Sequence, residues 1–161
     1  GYREAARILS SRSFPGLEAS VGFEPWTLYA EAAAIAAHVH HRRRDEVERM
    51  RRDLLEKSPR ILDGAIGFLD FPVFGSILFA LALWELSEEP DPARAARAVH
   101  LLVYADRFGY NRQLPSLAWE PGLALAEAAL PGEEARFRAS VEGRNAPELR
   151  PEVGDLLAEL G

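Results

Sequence analysis

Val73-Phe74-Gly75-Ser76-Ile77-Leu78-Phe79-Ala80-Leu81-Ala82-Leu83-Trp84-Glu85-Leu86 is the stretch on which the fold turns. It is apolar nearly all round at helical spacing, so it predicts a helix buried on nearly every side. The longer run from Ala65 to Leu86 has only Asp70 and Glu85 as charges, which raises the question of a membrane span. A spanning helix needs about 20 consecutive apolar residues. Asp70, Pro72 and Gly75 interrupt the run, and the part that follows is too short to cross. The expectation is therefore the central helix of a water-soluble domain, with no membrane partner.

Other helices are expected on both sides of this one. Pro25 suits a first helical position, and Leu28, Ala32, Ile35 and Val39 follow it at helical spacing. Five alanines between Ala32 and Ala37 give that helix a slim surface. A more charged helix is expected to start at Asp45 as N-cap. Its stripe is Val47, Met50, Leu54 and Leu55, and Ser58-Pro59 is expected to end it. Arg60 to Phe71 then reads as a short helix or turn. Glu88-Glu89-Pro90 closes the central helix, and Asp91-Pro92 opens the next with a cap and a first-turn proline. That helix carries Ala95, Ala98, Val99, Leu102 and Ala105 and is expected to stop at Gly109.

Tyr110 to Leu114 reads as a connector. Pro115-Ser116 is expected to start a helix to Leu130, with a kink or a broken first turn at Pro121. A further helix is expected from Glu133-Glu134 to about Glu142, then a loop at Arg144–Ala146. A last helix is expected from Pro151 to Leu160. Near the amino end, Tyr2 to Leu9 reads as a helix ended by Phe14-Pro15-Gly16. No six-residue segment alternates apolar and polar positions with β-branched enrichment, so no sheet is expected.

Pro25, Pro72 and Pro115 each precede a wide-faced apolar helix, and each such helix is followed by a more charged one. The steps are 47 and 43 residues. Periods of this order point to stacked helix pairs. The expected fold is all-α, a right-handed superhelical stack of antiparallel helix pairs, with roughly seven to nine helices in a single unit over 1–161.

Composition removes several function classes. The net charge is −6, from 25 acidic and 19 basic residues, which does not suit a phosphate-neutralising surface. No direct nucleic-acid contact is expected, although Arg42-Arg43-Arg44 is locally basic. The absence of cysteine excludes disulfides, zinc–thiolate and iron–sulfur sites, and it fits a reducing, cytoplasmic setting. The single lysine, Lys57, follows Glu56 and is not part of a phosphate-binding loop. No cofactor is expected.

Two constellations compete as sites. His38, His40 and His41 sit beside three arginines, and His38 and His41 share a helix face. They read either as metal ligands or, more simply, as a polar helix end that offsets the negative end of the helix dipole. The second set is Arg107, Tyr110, Asn111 and Arg112 with Trp119 and Glu120, in and around the connector. Tyr, Trp and Arg are common interface anchors. Connectors of helical stacks often carry ligand contacts. The rival reading of the same residues is structural, as helix caps and aromatic filler between repeats.

Trp26, Leu28, Tyr29 and Ala30, together with Asp91-Pro92-Ala93, give the chain a resemblance to tetratricopeptide-type repeats, although the spacing exceeds their 34-residue period. Asp70-Phe71-Pro72-Val73-Phe74-Gly75-Ser76 is similar to the C-terminal helical-repeat region of large actinobacterial transcriptional regulators of the bacterial activator domain family. So is the segment Asp106-Arg107-Phe108-Gly109-Tyr110-Asn111-Arg112 with Pro115. The resemblance spans about residues 25 to 130 and implies a piece of a longer regulator with a non-catalytic, protein-interaction role. The partner would be another protein, another domain of the same chain or a second copy. A small-molecule sensor with a pocket between helices is the alternative. A helical hydrolase built on the histidines is a third.

Overall fold

The computed structural model describes residues 25–63, 71–88 and 90–161. They form seven α-helices and no strand: α1 (Pro25–His40), α2 (Glu48–Asp63), α3 (Phe71–Leu86), α4 (Pro92–Phe108), α5 (Trp119–Ala129), α6 (Glu133–Ser140) and α7 (Ala146–Ala158). Short 3-10 turns at Arg44–Val47 and Pro115–Leu117 precede α2 and α5. The chain is all-helical over the described residues, as its periodicity required. No helix among them is long and apolar enough to cross a membrane. The helix expected at Tyr2–Leu9 and the break at Phe14–Gly16 lie outside the described residues. So do residues 64–70, most of the short helix or turn expected from Arg60 to Phe71.

The apolar run becomes α3, whose residues Ile77 to Leu83 are 1% exposed or less. It packs most extensively on α4 and next on α1. The start of α3 meets the end of α4, since Gly75 lies against Ala105 and Gly109. Glu85, at the other end of α3, bonds Arg94 in the first turn of α4. The two helices are therefore antiparallel. Arg44, just past α1, donates to the Ser87 hydroxyl just past α3, so α1 and α3 finish at the same end of the molecule. Helices α5, α6 and α7 all contact α4. Helix α2 leans on α1 and reaches across to α7, where Arg150 donates to the Leu62 carbonyl at 2.6 Å and Arg51 to the Leu160 carbonyl at 3.1 Å.

The Asp91 cap is present, with its carboxylate accepting from the Arg94 N–H at 2.9 Å. Gly109 ends α4 at φ 72°. Four boundaries differ from the sequence reading: those at Asp45, Pro59 and Pro151, and the start of α5, which lies at Trp119 and not at Pro115. Asp45 is not a cap, because a 3-10 turn occupies Arg44–Val47 and α2 begins at Glu48. Pro59 does not end α2. It sits on the exposed side, where water can take the carbonyl it leaves unpaired, while Leu54, Ser58 and Leu62 form a buried row that holds the helix together beyond it. Likewise Pro151 lies inside α7, which starts five residues earlier. There Asn145 and Glu148 form a capping box, each side chain bonding the other's backbone N–H. Pro121 falls in the first turn of α5, where its missing N–H has no helical partner to lose. The broken turn is the 3-10 segment before it.

Helix α1 ends in a Schellman motif. The Arg42 N–H reaches the Val39 carbonyl at 3.0 Å and the Arg43 N–H reaches the His38 carbonyl at 2.8 Å. Arg42 has φ 56°, a left-handed conformation that favours glycine. Because side-chain crowding there costs about 1–2 kcal/mol, Arg42→Gly should stabilise the fold by about 1 kcal/mol. A thermal melt would read this as a rise of about 2–4 °C. A fall would show that the arginine side chain contributes more than its backbone costs.

Candidate functional site

The connector after α4 is built on a close helix approach. A Cβ placed on Gly75 would lie 2.6 Å from the Gly109 carbonyl oxygen, so only a glycine lets the two backbones come this near. Gly109 then turns the chain sharply and lays the next residue, Tyr110, on the central helix. Its ring stacks on Phe79 at 4.8 Å between centroids, tilted by 25°. Trp119, at the start of α5, closes the group at 6.4 Å from Phe79 and 6.5 Å from Tyr110.

Arginines cover these rings. The Arg112 guanidinium lies 5.0 Å from the Tyr110 centroid and 4.7 Å from that of Trp119. Arg138, from α6, lies 5.5 Å from the Trp119 ring. Both converge on one carboxylate, Arg112 pairing with Oδ1 of Asp106 and Arg138 with Oδ2. Arg138 also donates to Glu134 at 2.6 Å. The Tyr110 hydroxyl is buried with no hydrogen-bond partner. Burial pushes its pKa well above the usual tyrosine range; the Arg112 charge opposes that, and Asp106 and Glu120 add to it.

Of the six residues singled out in the sequence, the structure brings together Tyr110, Arg112 and Trp119. Glu120 is exposed on the first turn of α5, close enough for its charge to act on the Tyr110 hydroxyl. Asn111 is exposed, and its side chain accepts from the Gln113 N–H at 2.9 Å in a local turn. Arg107 is half-buried in the last turn of α4. Phe79 and Arg138 complete the cluster from distant helices. Nothing local in the sequence marks either residue for this place.

The histidines separate. His38 bonds the Ala34 carbonyl at 2.7 Å, and His40 the Ser116 carbonyl at 3.1 Å. Among the described residues no three potential metal ligands converge. His40 and His41 instead line an open, mainly apolar hollow of about 440 Å³ with Ala37, Pro115, Ser116 and Pro121. A second open hollow, of about 520 Å³, lies between α2 and the end of α7.

A further polar group is structural. Glu85, 6% exposed, holds Arg94 at 2.8 Å and Arg51 at 3.3 Å, and Arg44 and Arg51 both lie over the Trp84 ring. Its members tie α2, α3 and α4 together, and all its charges have partners. In comparisons with known proteins the chain matches no family model, no curated protein and no solved structure.

Proposed function

We propose that the chain is a non-catalytic helical-repeat module that docks a protein partner on the edge formed by the α4–α5 connector. The observation that carries this reading is the Tyr110–Arg112–Trp119 group. It is seated on Phe79, and it is followed outward by five consecutive exposed residues, Asn111 to Pro115. Large aromatic and arginine anchors on a rigid base, rimmed by polar groups, are the usual make-up of an interface hot spot. The antiparallel α3–α4 pair and the shared direction of α1 and α3 support a tetratricopeptide-like superhelical stack. The contact of α2 with α7 makes that stack short and closed on one side, so the connector edge is the better docking surface than a long groove. The resemblance of the 106–115 segment to repeat regions of bacterial regulators supports a regulatory role in the cytoplasm. The net charge of −6 argues for a protein partner over nucleic acid. The two hollows described above, lined by described residues, are open to water and suit surface contact better than an enclosed small-molecule site.

Panning a random peptide display library against the chain tests the reading. Enriched peptides should bind at least tenfold more weakly to Asn111→Ala/Glu120→Ala, whose two sites are exposed and whose melting should be unchanged. Enrichment of peptides indifferent to that double variant, or no enrichment at all, overturns it.

A further inference from the structure

The aromatic faces of the connector are already occupied, and the occupant belongs to the chain itself. Arg112 covers Tyr110 and Trp119 and pairs with Oδ1 of Asp106. Its side chain is nonetheless 43% exposed and rides on the exposed segment Asn111–Pro115. Exposed ion pairs and exposed cation–π contacts are each weak, so this guanidinium is held loosely.

What lies around and beneath it is built for a cation. Two aromatic faces meet over a third ring, that of Phe79. One oxygen of Asp106 stays committed to Arg138, which leaves Oδ1 as the oxygen that Arg112 alone engages. The buried Tyr110 hydroxyl has an unused lone pair. Glu120 stands beside it, exposed and without an ion-pair partner among the described residues. The surplus negative charge of the chain draws cations toward it at long range.

We propose that this is a cation-binding cage and that Arg112 is an internal plug, displaced when an arginine side chain of a basic partner peptide takes its place. The incoming guanidinium would stack on Tyr110 and Trp119 and pair with Oδ1 of Asp106. Glu120 would face the peptide's second positive charge. Arginine is favoured over lysine because its flat group already fits between these rings in this structure. The assignment rests on the connector being the docking surface and adds the chemistry of what docks there.

The experiment is a titration followed by NMR at the Trp119 indole N–H, with a capped Gly-Arg-Gly peptide as probe. The same peptide carrying neutral citrulline serves as control. Arg112→Ala should bind the arginine peptide about three- to tenfold more tightly than the wild type, since one weak ion pair and two exposed cation–π contacts no longer compete. Adding Asp106→Asn should reverse that gain, and the citrulline peptide should not saturate either protein. Arg112→Gln, shorter and uncharged but still polar, should behave as Arg112→Ala does. Equal or weaker arginine binding in both Arg112 variants overturns the plug, and equal binding of citrulline overturns the cation cage. Library peptides that depend on Asn111 and Glu120 but carry no basic residue would overturn the cage while leaving the docking surface standing. A saturable arginine response with no library enrichment would overturn the docking of a partner segment, and the plug proposal with it, leaving only a site for single guanidinium groups.

Discussion

Gly75→Ala should lower the unfolding free energy by about 3 kcal/mol, at the upper end of what overpacking costs. The added methyl carbon would sit 2.6 Å from the Gly109 carbonyl oxygen and 2.9 Å from that of Ala105. Both atoms belong to backbone, so no side chain can rotate away. The strain must be relieved by parting α3 from α4, the most extensive helix contact in the molecule. Urea denaturation should show the midpoint falling with an unchanged slope, the mark of lost stability in an otherwise similar fold. A change below about 0.5 kcal/mol, the usual size for a neutral surface substitution, would mean that the helices do not approach this closely in solution. Because Gly109 opens the connector, the same variant should also loosen Tyr110 from its seat.

Phe79→Ala should cost about 3–5 kcal/mol, as removing a buried phenylalanine usually does. Phe79 is fully buried, and its far edge fills the space beside Gly122, where a Cβ would come within 2.9 Å of the ring. It is also the floor under Tyr110 and Trp119. Loss of stability should therefore be accompanied by loss of the near-ultraviolet circular dichroism contributed by those two rings. Phe79→Leu separates the effects, since it keeps most of the volume and removes the stacking. It should cost less than half as much, below about 1.5 kcal/mol by the usual tolerance for hydrophobic exchange, yet still weaken the aromatic signal. An unchanged signal in both variants would show that Tyr110 does not depend on Phe79 for its place.

Where helix type follows from a continuous pattern, the sequence is easy to read. The apolar circumference of α3, the stripes of α1 and α4 and the Asp91-Pro92 start all depend on near neighbours, and the structure has them. Proline was the misleading signal. At Pro59 the local rule says that a helix ends and at Pro151 that one begins, but each ring faces solvent and the buried rows on the opposite faces hold the helices together. The start of α7 was legible in another way, because Asn145 with Glu148 three positions on is a capping-box pattern; attention to Pro151 obscures it. In the candidate site, Tyr110, Arg112 and Trp119 can be grouped from sequence because they share one connector. Their floor and their second arginine cannot, because Phe79 and Arg138 are brought there only by the packing of α3 and α6 against α4.

The Arg150–Leu62 and Arg51–Leu160 bonds bear on how the molecule comes apart. In an open linear array, each unit leans only on its neighbours, and the ends fray before the middle. Here the closing helix clasps one from the opposite end of the described chain, so shortening from the carboxyl side strips support from α2 as well. The expectation is that the described residues melt together in one concerted step rather than fraying from an end.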